Sequence, residues 1–524
     1  MAGHQRKRAR LGRGNSRRLH TSLSADAVSP SVAAASFQLR EEDEEALLET
    51  SQFTCASVPE YRNRNEKMMS FFQRNYPEYY EKVVYDLTPA MKNNKARHYH
   101  KATRDFHYHL LDPKMTAAFL SSDMKWKDKE KKIQYGFSHV RKFHDAILKC
   151  SEYSGGSQLT EKYRLDMNAY IDSMRREKAH AKQNNQIEET NADPIGMPVY
   201  QMCCGWAVEE GTRRGLTVWA SMVTQWNCMG RPINVDALGL HNMRKEQHDS
   251  VSLFYDKNKK DQGGQRVSLK NCYANPFKPE ICFFLSMGCY LCINQDRYER
   301  SSSDKIFIKS GRDGSASDTY QKGLRDLVSA PERQRALTEH IRVDHLHAYG
   351  IRKGSATHVT TGTVEPPSVT SVILRGEWEL GGSLDVYWFF SHLGDTYLGR
   401  CLAGFDPDGE DIDTLPPHFK EGMENEHIAG AMQLSYGGIL KKYPNIESVL
   451  LLFLASIVYH ADTFIRPYVN ANSKHPFNDI AILHRPELLN NNNLSLRELV
   501  TIHWHWNQVG VCSRQQESPG TQRF

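Results

Sequence analysis

An arginine ends the stretch WNCMGR at Arg231, lysines stand in KKDQGG at Lys259 and Lys260, and a second arginine stands in GIRKGSATH at Arg352. Further on, GEWELGGSLDVYW carries Trp378 and, nine residues later, Tyr387. A guanidinium is permanently charged, and its planar fork matches the oxygens of a phosphate or a carboxylate. A lysine can give up a proton, an indole N–H can donate to an anion, and a phenolic oxygen can attack an electrophile. Taken singly, each residue has a plainer explanation. Arg352 and Lys353 read as a solvated charge cluster, Lys259 and Lys260 as solvated turn charges, Trp378 as core, and Tyr387 as one position of an amphipathic strand or helix. Their order along the chain is what makes the set worth following.

Local pattern says which elements must carry them. WNCMGRP is expected to end an apolar helix at Arg231, and HAYGIRKGSATH is expected to open a helix just ahead of Arg352. SVSLFYDKNKKDQGGQRVSLKN reads as a β-hairpin: an apolar run to Tyr255, a Lys-rich turn with Gly263 and Gly264, and a return from Val267 to Leu269. Gly381 and Gly382 form a break between PSVTSVILRGEW and GSLDVYWFF.

A chain of 524 residues exceeds what one core usually organises, so two or three domains are expected. The pattern predicts a mainly α fold with a small β component. Residues 1–54 read as a disordered tail: seven arginines and lysines with no acid in the first twenty residues, then REEDEEALLE. The basic cluster suits a nuclear-import or DNA-contacting arm, with an organelle transit peptide as the runner-up. Residues 55–190 form a helical domain. In it KEKKIQYGFSHVRKFHDAILK sets Ile133, Phe137, Val140 and Ile147 on one side of a helix, with Lys132, Arg141, Lys142 and Lys149 elsewhere around it. SEYSGGSQ is a loop, a second helix follows through KYRLDMNAYIDSMRREKAHAK, and QNNQIEETNADPIGMP is a linker. A mixed α/β domain over 195–405 comes next, then a helical C-terminal extension over 406–524 with a poorly ordered end. The run VLLLFLASIV is about half the ~20 residues that a bilayer demands and reads as a buried helix.

The formal charge of +5 is small for this length and says little about partners. Eleven scattered cysteines suggest reduced thiols in an intracellular protein, and Cys289 and Cys292 read as positions of a core helix. RHYHKATRDFHYH and HWHW lack thiol or acidic partners at ligand spacing, so no metal and no cofactor is expected.

WNCMGR, KKDQGG, YANPFKPEIC, GIRKGSATH, RGEWELGG, DVYW, GDTYLGR and LPPHF together resemble the tyrosine recombinases and integrases, specifically the Crypton-like group of eukaryotic mobile elements found in algae, diatoms and oomycetes. The resemblance covers most of residues 60–415. It implies a helical core-binding domain that clamps DNA, followed by a mixed α/β catalytic domain that breaks and rejoins DNA through a 3′-phosphotyrosyl intermediate without metal or ATP. By this resemblance Arg231 and Arg352 clamp the phosphate and Lys259 is the general acid, with Lys260 the ambiguity. Trp378 occupies a position that is histidine or tryptophan in relatives, and Tyr387 is the nucleophile. The partners implied are double-stranded DNA and further copies of the chain, as a dimer or tetramer, with no membrane and no small-molecule substrate, in the nucleus.

One position departs from the family. The H-x-x-R pattern has Tyr349 where histidine is usual, and His347 is five residues before Arg352, well round the helix from that face. A phenol ionises near pH 10 and accepts protons poorly at neutrality, which puts assistance to Tyr387 in question. A decayed, DNA-binding but non-catalytic protein is the alternative, and a helical interaction scaffold a more distant one.

Overall fold

The computed structural model describes residues 58–83, 108–122, 137–152, 159–184, 192–246, 249–256, 269–308, 316–378, 392–420, 426–485 and 496–502. They are mostly helical with a small sheet component, in line with the mainly α expectation. The chain divides into two compact units, Met1–Glu189 and Thr190–Phe524. The basic and acidic tail and the SGGSQ part of the loop fall outside the described residues.

The first unit is built from helices α1 (Val58–Asn75), α2 (Pro77–Val83), α3 (Pro113–Ser122), α4 (Phe137–Glu152) and α5 (Glu161–Gln183). Aromatic rings make its core, because three of these helices each offer a large apolar side chain to one point. Phe119 of α3 lies 5.4 Å from both Phe71 of α1 and Phe143 of α4, ring centre to ring centre. Val140 and Ile147 are buried as the periodicity of α4 requires, while Arg141, Lys142 and Lys149 are exposed.

The second unit opens with α6 (Met197–Glu209), α7 (Arg213–Cys228) and α8 (Pro232–Ala237). Thr212 caps α7 by accepting from the Gly215 N–H at 2.9 Å. Every residue of α7 from Gly215 onward is buried, so this helix is the axis of the unit. Trp226 stacks on Tyr200 of α6 at 4.2 Å and donates from its indole nitrogen to the Leu402 carbonyl at 2.9 Å.

Strands β1 (Met243–Lys245), β2 (Ser250–Leu253) and β3 (Lys270–Tyr273) form an antiparallel sheet in that order. The register pairs Leu253 with Lys270 and Ser250 with Tyr273, so the expected hairpin forms, with its return strand over Lys270–Tyr273. Its Lys-rich turn lies outside the described residues.

Helices α9 (Phe283–Ile293), α10 (Gln295–Arg300), α11 (Ala316–Leu327), α12 (Pro331–Thr338), α13 (Ala348–Thr361), α14 (Val369–Arg375), α15 (His392–Leu402), α16 (Glu426–Leu440), α17 (Glu447–His460) and α18 (Arg466–Ala471) follow. Cys289 and Cys292 lie on α9, which is buried on all sides, and the eight cysteines from Cys203 to Cys401 are all free and buried. VTSVILR, from the stretch before the Gly381–Gly382 break, is helical as α14.

The segment set apart in the sequence as a C-terminal extension shares the core of this unit. α17 packs along α9, with Phe453 meeting Phe284 at 5.5 Å. Helical structure runs from Pro444 to Ala471, longer than the apolar run suggested and long and apolar enough to cross a membrane, yet 72% of its most apolar window is buried inside the protein. Part of the C-terminal stretch is also ordered: Val500–Thr501 pairs antiparallel with His418–Phe419 of LPPHF.

Candidate active site

Arg352 is the centre of the site. It lies one turn into α13, whose first residue is Ala348, and its residue surface is only 3% exposed. Two backbone turns hold its guanidinium. Nη1 donates to the Met229 carbonyl at 2.6 Å, and Nη2 donates to the Gly376 carbonyl. The Trp378 ring covers the guanidinium at 5.2 Å from its centre, a cation–π contact that leaves the indole 37% exposed.

Arg231 approaches Arg352 through the turn that follows α7. α7 ends at Cys228, three residues before the expected end, and Met229 caps it in the left-handed conformation. Gly230 then turns the chain under the Tyr255 phenol, where a Cβ would come within 2.5 Å of the hydroxyl. Arg231 follows as the residue that leads into α8, and it is partly exposed. Its charge acts on Arg352: burial first, and the Arg231 charge second, push the Arg352 guanidinium below its ordinary value. Tyr349 is near enough to act on Arg352 in the opposite sense, as expected for residues one helical turn apart, and is 47% exposed. His347 precedes the helix and is also exposed.

Sequence reasoning missed a third cation here. Lys270, at the start of β3, is buried over the Tyr255 ring at 4.3 Å and donates to Glu377 Oε1 at 2.8 Å. Glu377 immediately precedes Trp378, so this ion pair fixes the segment that lays the indole over Arg352. No local signal announces the pairing, because the partners lie 107 residues apart in the chain. The cluster thus holds Arg231, Lys270 and Arg352 against the one carboxylate of Glu377. No carboxylate forms an ion pair with Arg231 or Arg352 among the described residues.

Backbone strain gathers at the same place. Among the described residues the non-glycine residues with positive φ are Met229, at 49°, and Glu377, at 54°. Met229 supplies a carbonyl to Arg352, and Glu377 supplies the carboxylate to Lys270. Such conformations persist only where the surroundings enforce them, and they concentrate at functional sites.

The small residues of GIRKGSATH serve packing. A Cβ on Gly354 would stand 1.7 Å from the Ile195 carbonyl oxygen, and one on Gly350 would stand 2.4 Å from that of Asp193. These glycines let residues 193–195, the end of the expected linker, lie flat on α13. Lys353 turns away from Arg352 and donates to the Ala192 carbonyl at 2.7 Å. Asp193 takes a two-pronged pair from Arg342, at 2.9 and 2.6 Å, which holds its carboxyl below the ordinary range.

Of the residues singled out in the sequence, the structure brings Arg231, Tyr349, Arg352 and Trp378 together. Lys259, Lys260 and Tyr387 lie outside the described residues. In comparisons with known proteins, no family model matches the chain, and no curated protein matches it significantly. An arrangement with excess positive charge, low exposure and an aromatic lid suits one oxyanion, and its two arginines suit a phosphate.

Proposed function

We propose that this chain is a tyrosine recombinase that breaks and rejoins double-stranded DNA at specific sites. The observation that carries the reading is that Arg231 stands near enough to Arg352 for its charge to act on that guanidinium, with Trp378 over Arg352 and, among the described residues, no carboxylate ion-paired to either arginine. In this reading a backbone phosphate of the duplex sits between the two guanidiniums. They stabilise the charge that builds on its non-bridging oxygens as phosphorus becomes pentavalent. The Tyr387 oxygen attacks phosphorus, a 3′-phosphotyrosyl bond forms, and the bond to the 5′ oxygen breaks. Lys259 delivers a proton to that departing oxygen. A 5′ hydroxyl of another strand then attacks the phosphotyrosyl bond, which restores Tyr387 and reseals DNA with no net loss of linkage energy. Tyr349 stands where the family uses histidine and lines the same phosphate. Trp378 screens the guanidinium of Arg352 from water.

The first unit supplies non-specific grip through exposed basic side chains such as Arg141, Lys142 and Lys149, giving affinity that falls with salt. Several copies assemble on DNA in the nucleus, where the basic N-terminal arm directs the chain.

A second reading has its own observation. Both terminal nitrogens of Arg352 already serve backbone carbonyls, which gives this arginine a structural task independent of any reaction, and Tyr349 replaces the usual histidine. On that reading the protein binds DNA without cutting it. Incubation with a pool of nicked random-sequence duplexes, followed by denaturing electrophoresis, separates the two. The recombinase reading expects a covalent protein–DNA adduct that Tyr387→Phe abolishes. An adduct that survives Tyr387→Phe contradicts the assignment, and duplex binding with no adduct favours the second reading.

A further inference from the structure

We infer that Gln225 is the positioning residue that sets the distance between Arg231 and Arg352; this rests on the reading that the two guanidiniums share one phosphate. Gln225 lies in the last turn of α7 and is completely buried. Its Nε2 donates to the Gly230 carbonyl at 3.1 Å and to the Ala348 carbonyl at 2.8 Å. Its Oε1 accepts from the Tyr320 hydroxyl of α11 at 2.7 Å. Gly230 is the residue before Arg231, and Ala348 is the first residue of the helix that carries Arg352. One amide nitrogen therefore grips both arginine-bearing segments at their roots, across 123 residues of chain.

The side-chain type follows from this geometry. Two carbonyls at one point require a nitrogen with two hydrogens, and Tyr320 requires an acceptor on the neighbouring atom. Glutamate would set an oxygen against both carbonyls, and a methionine of similar length would offer neither donor. The two carbonyls, which can only accept, decide which way the amide faces, and the Tyr320 hydroxyl then donates to the oxygen on the other side. Gln225 also serves the turn through its main chain, because its carbonyl accepts from the Met229 and Gly230 N–H groups. The strained turn at Met229 is thus fixed from both its backbone and its side-chain neighbours. Gln225 touches no substrate; its effect passes through the placement of Arg231 and Arg352.

Two mutually repelling guanidiniums would otherwise move apart, and a phosphate bridges them only while they are held together. Loss of the tie therefore weakens the anion without removing any group that contacts it, which a purely structural role would not do.

The test is titration of the full chain with inorganic phosphate, read as protection against thermal unfolding. Arg231→Gln is expected to weaken phosphate about tenfold, as the loss of a charge-assisted contact does. Gln225→Met, in a protein that still unfolds cooperatively, is expected to weaken it about as much. The double variant is expected to be no weaker than Arg231→Gln alone, since the clamp is then already open. Tyr320→Phe is expected to weaken phosphate about threefold by removing the hydroxyl that anchors the amide oxygen, and it decides the matter if Gln225→Met does not fold. Wild-type phosphate affinity in a folded Gln225→Met, or in Tyr320→Phe where Gln225→Met fails to fold, overturns the role of Gln225 while leaving the shared anion intact. Losses that multiply in the double variant overturn it as well. Phosphate protection that Arg231→Gln does not change overturns the shared anion, and the role of Gln225 with it.

Discussion

Two buried arginines stand close together in the second unit, and their surroundings differ. Arg375, at the end of α14, is fully buried, donates to the Asn227 and Asn271 carbonyls, and pairs through Nη1 with Asp395 at 2.5 Å. Asp395 is in turn held by the Asn271 side chain and main chain, at 2.9 and 2.7 Å. Burial opposes the Arg375 charge, but the Asp395 carboxylate together with Cys272 and Cys228 raises the guanidinium above its ordinary value. Arg352 is nearly as buried and also grips two carbonyls, yet burial first and the Arg231 charge second push its guanidinium down. One is a finished ion pair that joins α7, β3, α14 and α15. The other keeps an unanswered charge, which is what a binding site for an anion must do.

Removing each arginine tests that contrast. Arg375→Met strands the Asp395 carboxylate in the core and is expected to cost about 3–5 kcal/mol, measured by denaturant unfolding. A cost below about 1 kcal/mol would mean that Arg375 is not the structural member of the two. Burying a basic nitrogen has another solution, which is to leave it neutral. His460 of α17 takes it: burial lowers its pKa from 6.5 to about 4. The unfolded chain then takes up the proton first, so stability falls as pH drops from 6.5 toward 4 and is flat above that range. The loss by pH 4 is on the order of 2–3 kcal/mol, and His460→Leu is expected to remove its share of the slope.

Arg352→Met leaves the Met229 and Gly376 carbonyls without their donor but also removes the repulsion with Arg231. Its expected cost is about 1–2 kcal/mol, well under that of Arg375→Met, while phosphate protection is lost. Equal costs for the two substitutions would erase the distinction. The smallest effect belongs to the exposed pair of Arg342 and Asp193. Arg342→Gln is expected to cost less than about 1 kcal/mol, present above the unfolded carboxyl range and lost as pH falls through the lowered pKa of Asp193. Acid titration of the wild type against Arg342→Gln reads it.

The sequence displayed those parts of the site that depend on local pattern. A helix opening before Arg352, a turn at Arg231 and a hairpin around the lysine-rich loop follow from periodicity and glycine placement. Lys270, Glu377 and Gln225 were hidden, since each acts on a partner about a hundred residues away or more and looks ordinary beside its neighbours. The role of the glycines of GIRKGSATH was equally hidden, since Gly350 and Gly354 answer to the backbone at 193–195. Arg375 was overlooked for a related reason: RGEW drew attention to its tryptophan, and only the fold shows the arginine three residues earlier holding four elements together. The length of the helical run through α17 was underestimated because His460 and Asp462 interrupt its apolar pattern without ending the helix.

The central claim is that Arg231 and Arg352 together hold one oxyanion. A crystal structure of the full chain grown with sodium tungstate, a heavy analogue of phosphate, tests it most directly. One tungstate is expected within hydrogen-bonding reach, about 3 Å, of both guanidiniums and beside Trp378. Tungstate bound elsewhere, with Arg231 turned away from Arg352, would contradict it.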